Sequence, residues 1–150
     1  LVINNNADCE FDVDRDALKV VFNNLTDNAI KYSTNPVKIN VDISCNSQKL
    51  RVEFSDNGIG IQSKELKNVF NKFYRIYNRD VPSVKGTGLG LYLVKEIIKS
   101  HGGNIIVTSE GSGNGSTFII TLPVYQPDKR SIANKLLKKS GTKKENINDG

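Results

Sequence analysis

Lys85-Gly86-Thr87-Gly88-Leu89-Gly90-Leu91 sets three glycines at alternate positions directly before an apolar helical pattern. A backbone that passes close to phosphate oxygens needs glycine, and a helix N-terminus offers unpaired N–H groups and a partial positive charge. Taken alone the run says little, because many turns hold several glycines. Its order among other motifs is what counts. Upstream stand Asn24-Leu25-Thr26-Asp27-Asn28-Ala29 and Asp56-Asn57-Gly58-Ile59-Gly60, and downstream stands Gly113-Asn114-Gly115-Ser116-Thr117-Phe118. Together they suggest a nucleotide site.

Around these motifs helical and strand periods alternate, which predicts one α/β unit. Leu18, Val21, Phe22, Leu25, Ala29 and Tyr32 recur at three- and four-residue spacing, predicting a helix from about Asp14 to Ser33 with Asp14 or Asp16 as its cap. Asn35-Pro36 stops it. Val37, Ile39, Val41 and Ile43 then alternate with polar residues, and Leu50, Val52 and Phe54 return after a turn near Asn46-Ser47 as the second arm of a hairpin. Ser63 is placed to cap a short second helix carrying Leu66, Val69, Phe70 and Phe73. The stretch from Arg75 to Lys85 is polar, contains Pro82 and has no period, so it reads as a long loop. A third helix carries Leu89, Leu93, Val94, Ile97 and Ile98 and ends at Gly102-Gly103. Strands near Ile105–Thr108 and Thr117–Leu122 complete a sheet of four or five strands with the helices on one face.

A chain of 150 residues with 37% hydrophobic and 25% charged residues is ordinary for one globular domain. No apolar run approaches the roughly 20 residues that span a bilayer, and no signal peptide is visible. Cys9 and Cys45 lack metal-ligand spacing and read as free structural thiols in a reducing compartment. Charge is uneven: residues 126–150 hold seven Lys and Arg against three Asp and Glu, a net +4, which leaves +1 of the total +5 on residues 1–125. The basic segment reads as a mobile tail or a short helix around Ile132–Leu137, more a solvated extension than a nucleic-acid or membrane contact.

On a helical wheel of the first helix Asn24, Asn28 and Lys31 fall along one flank of the apolar stripe, while Asp27 points nearly away from the core. Two carboxamides one turn apart beside a lysine form a ledge that could hold a hydrated Mg²⁺ and phosphate oxygens. A solvated helix edge would show the same pattern. Asp56 stands at a strand end behind which Gly58 and Gly60 let the chain turn. A carboxylate there can accept a hydrogen bond from an exocyclic amine, as adenine selection requires; the plain alternative is an Asp-Asn-Gly turn.

These residues resemble the catalytic, ATP-binding domain of bacterial sensor histidine kinases, within the superfamily shared by gyrase, the ninety-kilodalton heat-shock chaperone and mismatch-repair ATPases. The resemblance covers about Glu10 to Pro123 and rests on five boxes in order: Asn24–Ser33, Asp56–Gly60, Phe70–Arg75, Gly86–Leu91 and Gly113–Phe118. It implies a two-layer α/β sandwich of the Bergerat type, a mixed, largely antiparallel sheet on three helices, over residues 1–125. It further implies that Asn28, with Asn24, holds Mg²⁺, that Lys31 contacts phosphate, that Tyr32 stacks near adenine and that Asp56 reads the adenine amine. By the same resemblance Asn71–Gly90 forms the ATP lid, Arg75 contacts phosphate, and Asn24, Lys31 and Arg75 serve catalysis. Gly58, Gly60, Lys85, Gly86, Thr87, Gly88, Leu89, Gly90 and Thr117 complete the ATP contacts.

Departures from relatives refine the function. Hydrolytic members place a glutamate where Asn24 stands, and an amide cannot take a proton from water, so hydrolysis should be slow and the γ-phosphoryl kept for transfer. Lys72 stands where these kinases usually carry arginine, which removes a bidentate fork. The one histidine, His101 in Ser100-His101-Gly102-Gly103, reads as a helix-terminal residue favourable to the dipole and not as a phosphoacceptor. The acceptor is then expected on a separate dimeric helical hairpin, with the chain a cytoplasmic fragment of a homodimeric, membrane-anchored kinase that signals to a response regulator; no nucleic-acid partner is expected. The alternatives are a related serine/threonine kinase or hydrolytic ATPase, and a non-catalytic ATP-binding or interaction module.

Overall fold

Alternation of apolar and polar residues through Ile39–Ile43 and Leu50–Phe54 produces two strands that each bury one face. The computed structural model describes residues 1–9, 13–33, 36–76 and 86–124. Along these residues the elements are β1 (Val2–Asn6), α1 (Arg15–Lys31), β2 (Ile39–Cys45), β3 (Lys49–Asp56), α2 (Gly90–Ser100), β4 (Asn104–Thr108) and β5 (Ser116–Pro123). The five strands form one sheet in the order β1-β2-β3-β5-β4. Only β1–β2 is parallel; the other three pairings are antiparallel. Among the described residues no helix is long and apolar enough to cross a membrane.

Both helices lie on one face of the sheet. Val21, Leu25 and Ala29 of α1 and Val94 and Ile98 of α2 bury against Val41, Val52, Phe54, Phe118 and Ile120. The opposite face is mostly polar, with Asn4 donating to Asp42 Oδ1 at 2.7 Å and the Ser55 and Thr117 hydroxyls 2.9 Å apart, and carries the paired Ile106 and Ile119. This is the expected two-layer α/β sandwich. Asp14 caps α1, its Oδ1 accepting from the backbone of Asp16 at 2.9 Å and Ala17 at 3.0 Å, so two orphan donors of the first turn are satisfied.

Three expectations are corrected. Instead of a helix after Ser63, residues 63–70 form a run of turns, with backbone bonds from Glu65 to Gln62, Asn68 to Glu65 and Asn71 to Asn68, each 2.8 Å. The stretch is too short to repay helix nucleation on its own, and the Asn68 and Asn71 side chains bond each other at 3.2 Å, a local alternative to the helical ladder. Val69 and Phe70 still reach the core, Phe70 meeting Phe118 edge to face at 6.3 Å. Among the described residues the helical layer therefore has two helices and this run of turns.

The second correction is β1, which the sequence does not announce. Three consecutive asparagines are poor strand formers, yet the edge of β2 supplies partners, with Ile3 opposite Val41 and Asn5 opposite Ile43. The third concerns the cysteines, which are not free: Cys9 and Cys45 form a disulfide closing 36 residues, with Cα atoms 6.6 Å apart. The parallel register explains the meeting, because Asn6 lies opposite Ser44 and the chain leaving β1 passes the last residue of β2. Lys85 and the basic segment 126–150 with Ile132–Leu137 lie outside the described residues.

Candidate nucleotide site

Beside the last two turns of α1, the end of β3, the start of β5 and the N-terminus of α2 lies a cleft in two continuous halves. Ile59, Ile61, Ile76, Leu91 and Phe118 give the inner half apolar walls, with Asp56 and Ser116 among its polar groups. The outer half is polar and is bordered by Asn24, Asp27, Lys31, Gly86, Thr87 and Gly90. Asn28, Tyr32, Tyr74, Arg75 and Leu91 border both. An apolar slot with few polar groups suits a flat heterocycle, and a polar vestibule at a helix N-terminus suits phosphate.

Asp56 is aimed by donors on both oxygens. Oδ1 accepts from the Gly58 backbone at 2.8 Å and Oδ2 from Ser116 Oγ at 2.6 Å. A carboxylate has about four lone-pair positions, so capacity for an exocyclic amine is left. Glycine at 58 is a close-approach requirement, since a Cβ there would lie 2.8 Å from both Asp56 Oδ1 and the Tyr32 carbonyl. The Ile59 N–H donates to that same carbonyl at 2.9 Å, fastening the glycine turn to the end of α1.

In the outer half Asn24 and Asn28 stand one turn apart on α1, with Lys31 beyond them; the Lys31 ammonium is 4.0 Å from Asp27 and about half exposed. The Asn24 amide donates to Val20 O at 2.8 Å, and its Oδ1 faces Gly90 so closely that a Cβ on Gly90 would sit 2.7 Å away. The first residue of α2 is thus packed directly on the amide ledge. Leu89 holds the N-cap position with no side-chain cap bond, which leaves the first N–H groups of α2 available. The Phe73 N–H donates to Gly88 O at 3.0 Å, which brings these two residues together beside the cleft.

Of the sequence-predicted site residues, the structure brings Asn24, Asn28, Lys31, Tyr32, Asp56, Gly60, Arg75, Gly86, Thr87, Gly88 and Gly90 to the cleft. Gly58 lies behind Asp56, and Leu89 flanks the cleft without lining it. Thr117 is a correction: its hydroxyl pairs with Ser55 on the polar face of the sheet. Strand alternation sends its neighbour Ser116 to Asp56 instead. Sequence reasoning missed Ser116 because only the β3–β5 register, Asp56 opposite Ser116, brings the two together. Tyr74 was also missed; its hydroxyl donates to Glu65 Oε2. Lys72 turns to aromatic faces, 5.2 Å from the Phe73 ring and 5.9 Å from Tyr92. His101 ends α2, with Nδ1 2.8 Å from Ile97 O and Nε2 accepting from Asp14 N at 3.4 Å.

The order of boxes, the two-part cleft and the carboxylate at its apolar end agree with a family match over residues 13–126. The chain belongs to the histidine kinase-, DNA gyrase B- and HSP90-like ATPases. Among curated relatives of this ATPase family it is 45% identical over 111 residues to the sensor protein RprX of Bacteroides fragilis, an alignment covering 73% of this chain and 21% of that protein. It is 36% identical over 118 residues to the sensor histidine kinase WalK of Bacillus subtilis, covering 77% of this chain and 19% of that one. The chain thus spans about a fifth of the length of these relatives. Among solved structures it superposes on the catalytic domain of histidine kinase ThkA with a TM-score of 0.68 at 30% identity, covering 82% of this chain and 76% of that one. The mycobacterial sensor histidine kinase MprB gives 0.67 at 27% identity, covering 81% and 83%. The ATPase family implies ATP binding.

Proposed function

We propose that this domain binds Mg²⁺-ATP and presents the γ-phosphoryl to a histidine on a separate helical-hairpin domain, as the catalytic part of a sensor histidine kinase signalling to a response regulator. The observation that carries this reading is the two-part cleft: a doubly anchored Asp56 at its apolar end, and an amide ledge packed on the α2 N-terminus at its polar end. Asp56 accepts the adenine amine, Tyr32 borders the base, and Lys31 with Arg75 and the α2 N–H groups neutralises phosphate. Asn28 and Asn24 offer amide oxygens of the hard type that Mg²⁺ accepts while it keeps several waters. Bound there, the ion would neutralise phosphate charge. Among the described residues no group of three His, Cys, Asp or Glu could hold a metal by itself, so the amides and the phosphates must share that task.

Asn24 argues for transfer over hydrolysis, since its amide cannot take a proton from water. With no base among the ledge residues, catalysis reduces to positioning and charge neutralisation. Within one chain the sequence's one histidine lies out of reach of the phosphate site. His101 lies at the far end of α2, and eleven residues at a 1.5 Å rise place it about 16 Å from the helix N-terminus. Reacting atoms must approach to about 3–3.5 Å. Incubating the chain with γ-labelled ATP, with and without a dimeric hairpin domain bearing an exposed histidine, tests the proposal. Acid-labile label is expected on the added domain only. Label on the chain alone that vanishes in His101→Ala would overturn it.

A further inference from the structure

Resting on the assignment of Asp56 to the adenine amine, we infer that Ser109 is a positioning residue for base recognition. It stands between β4 and β5 and does not line the cleft. Its hydroxyl accepts from Ile61 N at 3.0 Å and from Gly111 N at 3.2 Å, and donates to Gly115 O at 2.6 Å. A hydroxyl has one donor and two acceptor positions, and all three are filled.

What those bonds join explains the inference. Ile61 ends the turn that follows Asp56, whereas Gly111 and Gly115 belong to the loop that leads into Ser116. The backbones of the two loops also meet, Gly113 N donating to Ile59 O at 2.7 Å and Gly115 N to Gly58 O at 3.0 Å. The first loop supplies one of the donors that aim Asp56, the Gly58 N–H, and the second leads directly into the other, the Ser116 hydroxyl at the start of β5. Segments this rich in glycine have few side chains to pack and keep much conformational freedom. The Ser109 hydroxyl is therefore the side-chain clip that holds the two donors at a fixed separation, and so fixes the direction of the carboxylate.

Removing the hydroxyl leaves two N–H groups and a carbonyl to find other partners and lets the donors drift apart. Ser109→Ala should lower affinity for ATP about tenfold, the order expected for one lost hydrogen-bonding group. The loss should be equal for adenosine, which lacks phosphates. The ratio of ATP to GTP affinity should fall with it, because a carboxylate that wanders no longer discriminates the amine of adenine from the carbonyl of guanine. Ser109→Thr keeps the hydroxyl and should restore both quantities. Calorimetry with ATP, adenosine and GTP on folded protein gives the comparison, with Asp56→Asn measured alongside.

Wild-type affinity and selectivity in folded Ser109→Ala, or a Ser109→Thr protein as impaired as the alanine variant, would overturn the inference. If Asp56→Asn binds ATP like the parent, the base assignment itself fails, and the two failures are distinguishable. Should Ser109→Ala not fold, amide exchange on the unmodified chain decides: adenosine should slow Gly58, Ile61 and Gly115 together. Protection confined to Gly58 would show the two loops uncoupled and refute the clip.

Discussion

Asp56 illustrates how much a single side chain can depend on its neighbours. Its two oxygens are engaged by Gly58 N and Ser116 Oγ; an amide at this position could keep the Gly58 bond at its oxygen, while its NH₂ donates to the Ser116 hydroxyl and offers the base a donor where the carboxylate accepts. Asp56→Asn should therefore fold normally and lose ATP affinity by about 100-fold, since bonds to charged groups contribute roughly 1.5–3 kcal/mol. Calorimetry beside a thermal melt checks it, and unchanged affinity in folded protein would remove adenine recognition from Asp56. Asn28 borders both halves of the cleft. Asn28→Ala should weaken Mg²⁺-ATP binding by about tenfold while metal-free ATP changes little. Equal losses in titrations with and without Mg²⁺ would make Asn28 a structural residue only. Both candidates were legible from residue type and spacing, whereas Ser116 was not, because one step along a strand exchanges faces and the chemistry of Ser116-Thr117 suits either register.

Among the elements, α1 and α2 meet where function is densest. Gly90 opens α2 against the Asn24 amide, and a Cβ there would come within 2.7 Å of Asn24 Oδ1. Glycine inside a helix costs about 1 kcal/mol relative to alanine, so this position trades helix stability for contact. Gly90→Ala should leave the melting temperature unchanged or raise it, while displacing Asn24 and weakening Mg²⁺-ATP binding about tenfold, an order set by one disturbed polar contact. Parallel melts and titrations separate the two effects; a fall in both would mean the glycine serves the fold alone. The helices and the β2–β3 hairpin were readable because their periods of 3.6 and 2 are local properties. The turns at 63–70 show the limit, for the apolar spacing there records which residues bury and not the backbone that delivers them.

The molecule as a whole is tied at its edge by a bond that neither strand suggests. Cys9–Cys45 closes a loop of 36 residues and anchors the exposed β1 beside β2. In the chain-entropy account a loop of this size contributes about 4 kcal/mol. Cys45→Ser, or reduction of the parent, should lower unfolding free energy in denaturant by roughly 2–4 kcal/mol. Base recognition should survive, because Asp56, Ser116 and the α1 ledge lie on other pairings. An unchanged denaturation midpoint would show that β1 is held by its pairing with β2 alone.

Sequence by itself determined the two amphipathic helices, the four strands β2 to β5 and the positions of Asn24, Asn28, Asp56 and Gly86–Gly90. Each is encoded within a few residues, as a period, a cap or a turn. Tertiary structure alone decided the partner of Asp56, the joining of the two glycine loops through Ser109, the strand at Val2–Asn6 and the pairing of the cysteines. All four depend on strand order and register, which bring together residues 36 to 60 positions apart. No local pattern carries that information, because register is selected by the burial of whole faces at once.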